Sequence, residues 1–219
     1  MADLDRPSLA PGDRHHLERV LRLGAGEVVT VSDGRGGWRA CRFGTEAELS
    51  PAGEVVRDPR PSPPVEVAFA LVKGERPELV VQKLTELGAD RIIPFAAARS
   101  VVRWDASRAA RHVERLRRVA REAAGQCRRT WLPEVDEVAT FADVAGRAGA
   151  VLADQEGSPP WLPDGPVLVG PEGGWSDEEL ARGLPRIALG PHVLRAETAA
   201  LAVGALLAAL RAGLVASPG

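Results

Sequence analysis

The sequence has no tyrosine and no asparagine, only one methionine, and just two cysteines and two lysines among 219 residues. Cys41 and Cys127 lie far apart and without CxxC spacing, which argues against a disulfide framework and against a zinc site. His15, His16, His112 and His192 show no metal-ligand spacing, so no metal is expected. No Ser/His/Asp or Cys/His set stands out, so hydrolase chemistry has little support. No run of eighteen apolar residues occurs, so no membrane-spanning helix is expected. The first residues, MADLDRPSLAPGDRHH, lack the basic start and apolar core of a signal peptide, and a cytoplasmic location is expected. Net charge is only −2, which as an average disfavours a nucleic-acid partner.

The average hides an asymmetry. Arg99, Arg103, Arg108, Arg111, Arg115, Arg117, Arg118, Arg121, Arg128 and Arg129 face only Asp105, Glu114 and Glu122 within residues 99–129, leaving +7 there and −9 elsewhere. A local field of that size can meet phosphate even on an acidic protein. A solvated helix face is the ordinary fate of a charge run. Here the excess is one-sided and Trp131 follows it, and arginine beside an aromatic can also stack bases. Because 26 of the 28 basic residues are arginine, a composition bias contributes as well.

The stretch RDPRPSPP at 57–64 has four prolines in eight positions and reads as a stiff linker. Before it, residues 13–23 suit a short helix. EVVTVS (27–32) and WRACRF (38–43) flank Asp33-Gly34 and Gly36-Gly37, the pattern of a hairpin, and extended runs at 46–49 and 53–57 would complete a small barrel. After the linker, strand and helix alternate. VEVAFALV (65–72), RIIPF (91–95), AVLA (150–153), PVLVG (166–170) and RIALG (186–190) read as buried strands. Helices are expected at 77–87, at 106–124 and from Glu197 to Leu210. This order predicts an α/β domain with a largely parallel sheet.

Two segments carry the chemical signal. Gly170-Pro171-Glu172-Gly173-Gly174-Trp175-Ser176 links a strand to a helix whose start is marked by a capping box of Ser176 and Glu179. Its glycines let a ligand approach the main chain, beyond the carboxyl end of a strand. A plain Gly-Pro turn explains the spacing about as well, and the segment is neither a Rossmann nor a P-loop fingerprint. Leu189-Gly190-Pro191-His192-Val193-Leu194-Arg195-Ala196-Glu197-Thr198 repeats the strand, turn and helix order. Capping accounts for Thr198, and the helix dipole accounts for Glu197. Neither accounts for Arg195, a cation at the positive end. The helix that follows is apolar nearly all round, so core or dimer interface is expected.

The order of segments Arg14–Leu23 (RHHLERVLRL), Lys73-Gly74-Glu75, Gln82-Lys83 with Glu86-Leu87-Gly88, Gly125–Arg129, GPEGG at 170–174 and LGPHVLRAETA at 189–199 resembles the RsmE-type 16S ribosomal RNA uridine-N3-methyltransferases of the SPOUT superfamily, over almost the whole chain. GPEGG followed some twenty residues later by LRxETA carries most of the specificity. The resemblance implies a PUA-like RNA-binding β-barrel at 1–60 and a SPOUT-type trefoil-knotted α/β domain at 61–219. It implies S-adenosylmethionine as cofactor, a homodimer, and the small ribosomal subunit as partner, methylated at N3 of one uridine of the decoding region.

Carried over, the cofactor contacts are Ala153, Gly170, Pro171, Glu172, Gly173, Gly174, Leu189, Gly190, Val193, Leu194, Arg195 and Thr198. Glu172 and Glu197 become candidate bases and Arg195 the candidate stabiliser of the uridinate. RNA contacts are expected at Arg14, Arg22, Lys73, Arg99, Arg117, Arg121, Arg128 and Arg129. Two departures stand out. The family opens with a short strand rich in Arg and Phe that this chain lacks, and it often has glutamate where this chain has Gly125. The rival expectations are a SPOUT enzyme with another target, such as a ribose 2′-hydroxyl, and a non-catalytic RNA-binding protein.

Overall fold

The computed structural model describes residues 3–9, 17, 19, 22–45, 48–74, 76–102 and 104–216. Most of the helix expected at 13–23, and Arg14 with it, lies outside the described residues. The chain forms two compact units. One holds Met1–Arg60 and Arg128–Leu132, the other Pro61–Cys127 and Pro133–Gly219.

In the first unit β1 (Val28–Ser32) and β2 (Gly37–Phe43) make the expected antiparallel hairpin. The Asp33 carboxylate closes the turn by accepting from the amides of Arg35 (2.7 Å) and Gly37 (3.0 Å). Gly34 and Gly36 take the left-handed angles such a turn requires, with φ of 72° and 86°. β3 (Leu49–Pro51) and β4 (Val56–Arg57) both pair with β2, completing a four-stranded antiparallel sheet.

Residues 128–132 return to this sheet. The Gly36 amide donates to the Thr130 carbonyl (2.9 Å) and the Leu132 amide to that of Gly34 (3.0 Å). Trp131 donates from Nε1 to the Asp58 carbonyl (3.1 Å), and a Cβ on Gly36 would stand 2.6 Å from its Cε2. Trp131 is therefore committed to holding this unit together and is not the free stacking platform expected beside the arginines. Arg60 lies over its ring at 5.7 Å.

The second unit alternates as expected: β5 (Glu66–Ala70), α1 (Arg76–Leu87), β6 (Arg91–Ala96), α2 (Ala106–Gln126), β7 (Glu134–Val135), β8 (Ala139–Thr140), α3 (Phe141–Ala145), β9 (Val151–Ser158), β10 (Val167–Val169), α4 (Asp177–Leu180), β11 (Arg186–Ile187) and α5 (Ala196–Arg211). The sheet order is β11-β9-β10-β5-β6-β7 with β8 also on β6, and every pairing is parallel. Its central strands are buried on both faces, as their unbroken apolar runs require.

Two strands differ from expectation. β9 continues through the polar Asp154-Gln155-Glu156 to Ser158, because it pairs with β11 after a register shift, Ile187 opposite Ser158. β11 stops at Ile187 instead of continuing to Gly190. β7, β8 and α3 carry too few residues for a periodic signal. α3 is set by a capping box in which Thr140 and Asp143 exchange hydrogen bonds, which holds the Asp143 carboxyl below its ordinary range.

α1 and α5 pack so closely that a Cβ on Gly204 would stand 2.6 Å from Leu84 Cδ2. At their far ends Arg211 donates to the Gly88 carbonyl (2.9 Å) and forms a buried ion pair with Asp90, whose carboxylate also accepts from the Val65 amide (2.9 Å). The two helices thus start together and end together, both on the carboxyl-to-amino course back along the sheet.

Candidate functional site

β9 and β10 lie side by side, with Val169 paired to Ala153, and the chain leaves β10 at Gly170. The turn that follows is closed by the Gly174 amide donating to the Pro171 carbonyl (2.9 Å). Gly174, with φ of 69°, carries the left-handed backbone here, while Gly173 does not. A side chain at Gly173 would meet Arg99, whose Cβ lies 3.1 Å from the added carbon. Arg99 also donates from Nη1 to the Gly173 carbonyl (3.2 Å).

The loop is anchored at its far end by Trp175. Its ring packs against Phe95 and Phe141, with centroids 6.3 and 5.7 Å away, and its Nε1 donates to the Ala153 carbonyl (3.0 Å). Gly170 leaves room for that ring, since a Cβ there would stand 3.0 Å from Trp175 Cε2. Next comes the expected capping box. Ser176 accepts from the Glu179 amide (3.2 Å), and Glu179 Oε2 accepts from the Ser176 amide (2.8 Å). The buried Glu179 uses its other oxygen to accept from the Ala98 amide (2.9 Å). One carboxylate thus joins the loop to the segment after β6.

The second segment is held less. Leu189 packs against the core, but Gly190 is exposed and Val193 is 82% exposed. Arg195, not Thr198, is the N-cap of α5, and it makes no side-chain capping bond. Thr198 falls inside the first turn and is exposed, so the capping role expected for it is wrong. Arg195 is exposed and forms no ion pair among the described residues.

Arg76, in the first turn of α1, joins the two segments. It donates from Nη1 to Glu172 Oε1 (3.0 Å), and its Nε lies 3.6 Å from Glu197 Oε1. The Glu197 side chain is 14% exposed, and its Oε2 is buried without a hydrogen-bond partner among the described residues. The two candidate bases are therefore brought together through a residue the sequence reading missed. Its only signal was a cation placed at the positive end of a helix, the same anomaly that marked Arg195.

The expected RNA contacts divide. Lys73 and Arg121 are exposed, whereas Arg117 is spent on Glu114 (2.7 Å), Glu137 (2.9 Å) and the Val135 carbonyl (3.1 Å). Arg118 and Arg121 on α2 have no ion pair among the described residues. Arg128 and Arg129 belong to the first unit with Arg22, so the arginine run does not lie on one element.

No helix among the described residues is long and apolar enough to cross a membrane, and those residues hold no group of side chains suited to a metal.

Residues 59–208 match the family profile of the RNA methyltransferase domain, and residues 9–45 that of the RNA methyltransferase PUA domain. The ribosomal RNA small subunit methyltransferase E of Mycobacterium bovis is 34% identical over 94% of this chain and 88% of its own. That of Bacillus subtilis is 33% identical over 89% and 86%. Among solved structures, a Legionella pneumophila putative methyltransferase with bound S-adenosylmethionine superposes with a TM-score of 0.80 at 30% identity, over 92% of this chain and 90% of that one. The small subunit methyltransferase E of Neisseria gonorrhoeae, also bound to S-adenosylmethionine, gives 0.76 at 25% identity, over 92% and 90%. The fold is thus the SPOUT-type trefoil-knotted α/β domain preceded by a small PUA-like β domain, and the chain belongs to the RNA methyltransferase family that includes the ribosomal RNA small subunit methyltransferases E.

Proposed function

We propose that this protein uses S-adenosylmethionine to methylate N3 of a uridine in the decoding region of 16S rRNA, in the cytoplasm, as a homodimer. The observation that carries the reading is the joining of the 170–174 loop to the start of α5, with a buried carboxylate oxygen on Glu197 that has no partner among the described residues and an exposed cation at Arg195. Added side chains at Gly174 and Gly190 would meet nothing within 4 Å, so the main chain of both segments is open to a ligand. The residues present fit the cofactor. Ala153, Gly170–Gly174, Leu189, Gly190, Val193, Leu194 and Thr198 would hold it.

When bound, S-adenosylmethionine supplies an electrophilic methyl on a sulfonium. Uridine N3 carries a proton and is a poor nucleophile until that proton leaves. Glu197 Oε2 is the acceptor for it, with Glu172 as the alternative. The Arg195 guanidinium stabilises the negative charge left on the uracil ring. The remaining task is alignment of N3 with the methyl, which a pre-formed site supplies.

Residues 1–60 form the RNA-binding domain and 61–219 the methyltransferase domain in this reading. RNA contacts come from Arg22, Lys73, Arg99, Arg121, Arg128 and Arg129, and the paired Arg117 serves structure first. Double reversal of Arg118→Glu and Arg121→Glu is expected to weaken RNA binding and flatten its salt dependence. Leu206 and Leu210 remain only half-buried on α5, and Leu214 beyond it is exposed, which supports a dimer through this helix. A monomer in ultracentrifugation at micromolar concentration would contradict it.

The deciding experiment is methylation of small subunits lacking the modification, followed by mapping of the product. 3-Methyluridine in the decoding region is expected. A ribose 2′-O-methyl product, or cofactor binding without turnover, would overturn the reading.

A further inference from the structure

We propose that Arg76 is a positioning residue that ties the cofactor loop to the base and orients Glu197 with one oxygen free. The inference rests on the functional reading above and assigns a role to a residue outside the two segments that carry it.

One guanidinium serves two carboxylates from different segments. Nη1 bonds Glu172 in the 170–174 loop, and Nε faces Glu197 in the first turn of α5. A guanidinium is suited to this because its nitrogens project in fixed, divergent directions, whereas an ammonium is a single point charge. Glu197 Oε1 is turned to Arg76, and Oε2, buried and without a partner among the described residues, is left to accept a proton. A buried acceptor with no donor is costly unless something fills the role, and the substrate's N3–H is a donor of the right kind.

The helix itself gives no reason for a cation at this place. Position 76 opens α1, where the dipole disfavours positive charge. Nor is the pair a plain surface ion pair, since the Glu197 side chain is mostly covered.

Among the described residues the charged groups around Glu197 are few. α1 contributes Arg76, with Glu78 paired to Arg115 (3.0 Å). The 170–174 loop contributes Glu172, reached through Arg76. The segment leading into α5 contributes His192 and Arg195. Lys83 and Glu86, farther along α1, pair with each other (2.8 Å), and Glu66 begins β5 at the opposite end of that strand from the site. β10 has no charged residue. Among the described residues, removing Arg76 therefore removes the one cation paired with Glu197.

The test uses the full chain, small subunits lacking the modification, and single-turnover assays, with S-adenosylmethionine affinity measured by calorimetry. Arg76→Ala is expected to slow the single-turnover rate roughly tenfold to a hundredfold through lost alignment. Cofactor affinity should fall by a smaller factor. Arg76→Lys, which keeps the charge but cannot span both carboxylates, is expected to restore only part of the rate. Arg76→Ala with an unchanged rate, or with rate and cofactor affinity lowered by the same factor, would overturn the proposal. A wild type that neither binds the cofactor nor methylates small subunits would instead overturn the functional reading, and the proposal with it.

Discussion

The two Gly-Pro turns of the site have nearly the same sequence logic and opposite construction. Residues 170–179 are held by the protein itself, with Trp175 seated between Phe95 and Phe141, the capping box of Ser176 and Glu179, and Arg99 on the Gly173 carbonyl. Residues 189–195 have Leu189 in the core, then an exposed run that reaches α5 without a side-chain cap. The first is a finished wall of the site. The second is an exposed run, with Val193 bare and the helix start uncapped. Pre-organisation of one side lowers the ordering cost of binding in the proposed function, and the other side is where ordering on binding is expected.

The largest break in this comparison is expected from Trp175→Ala. It removes a buried ring and the bond to the Ala153 carbonyl, so unfolding stability should fall by about 3–5 kcal/mol. A fall in Tm of several degrees in a thermal scan checks this, and a shift within error would mean the loop is not anchored there.

Arg195→Ala acts on the other side of the site and should look different. Its side chain has no structural partner among the described residues. Tm and cofactor affinity should stay near wild type, while the single-turnover rate drops about a hundredfold. Full activity in that variant removes Arg195 from the mechanism.

These contrasts were only partly legible in the sequence. Ser176 and Glu179 gave the α4 start correctly because a capping box is local. The parallel sheet was legible in the apolar runs of β5, β6, β9 and β10. Arg76 was not legible, since its two partners lie 96 and 121 residues away in the chain and only the fold brings them to it. The same holds for Trp131, whose return to Asp58 and the β1–β2 turn follows the whole of α2.

Gly173→Val sharpens the comparison at the rigid wall. The new side chain meets Arg99, not a strained backbone, so the chain should stay folded. The displaced loop should cost on the order of tenfold in cofactor affinity, about 1.4 kcal/mol. Wild-type affinity would move the binding site away from this loop. Val193→Ser tests the exposed run and should have the smallest effect on stability, within about 0.5 kcal/mol for so exposed a position. Cofactor affinity should nonetheless fall measurably in calorimetry.

The most direct test of the account is amide hydrogen exchange of the wild type with and without S-adenosylmethionine. Amides of 175–180 should be protected in both states, and those of 190–198 should exchange readily alone and slow sharply when the cofactor is added. No gain of protection at 190–198 under saturating cofactor, or a gain confined to the first sixty residues, would contradict it.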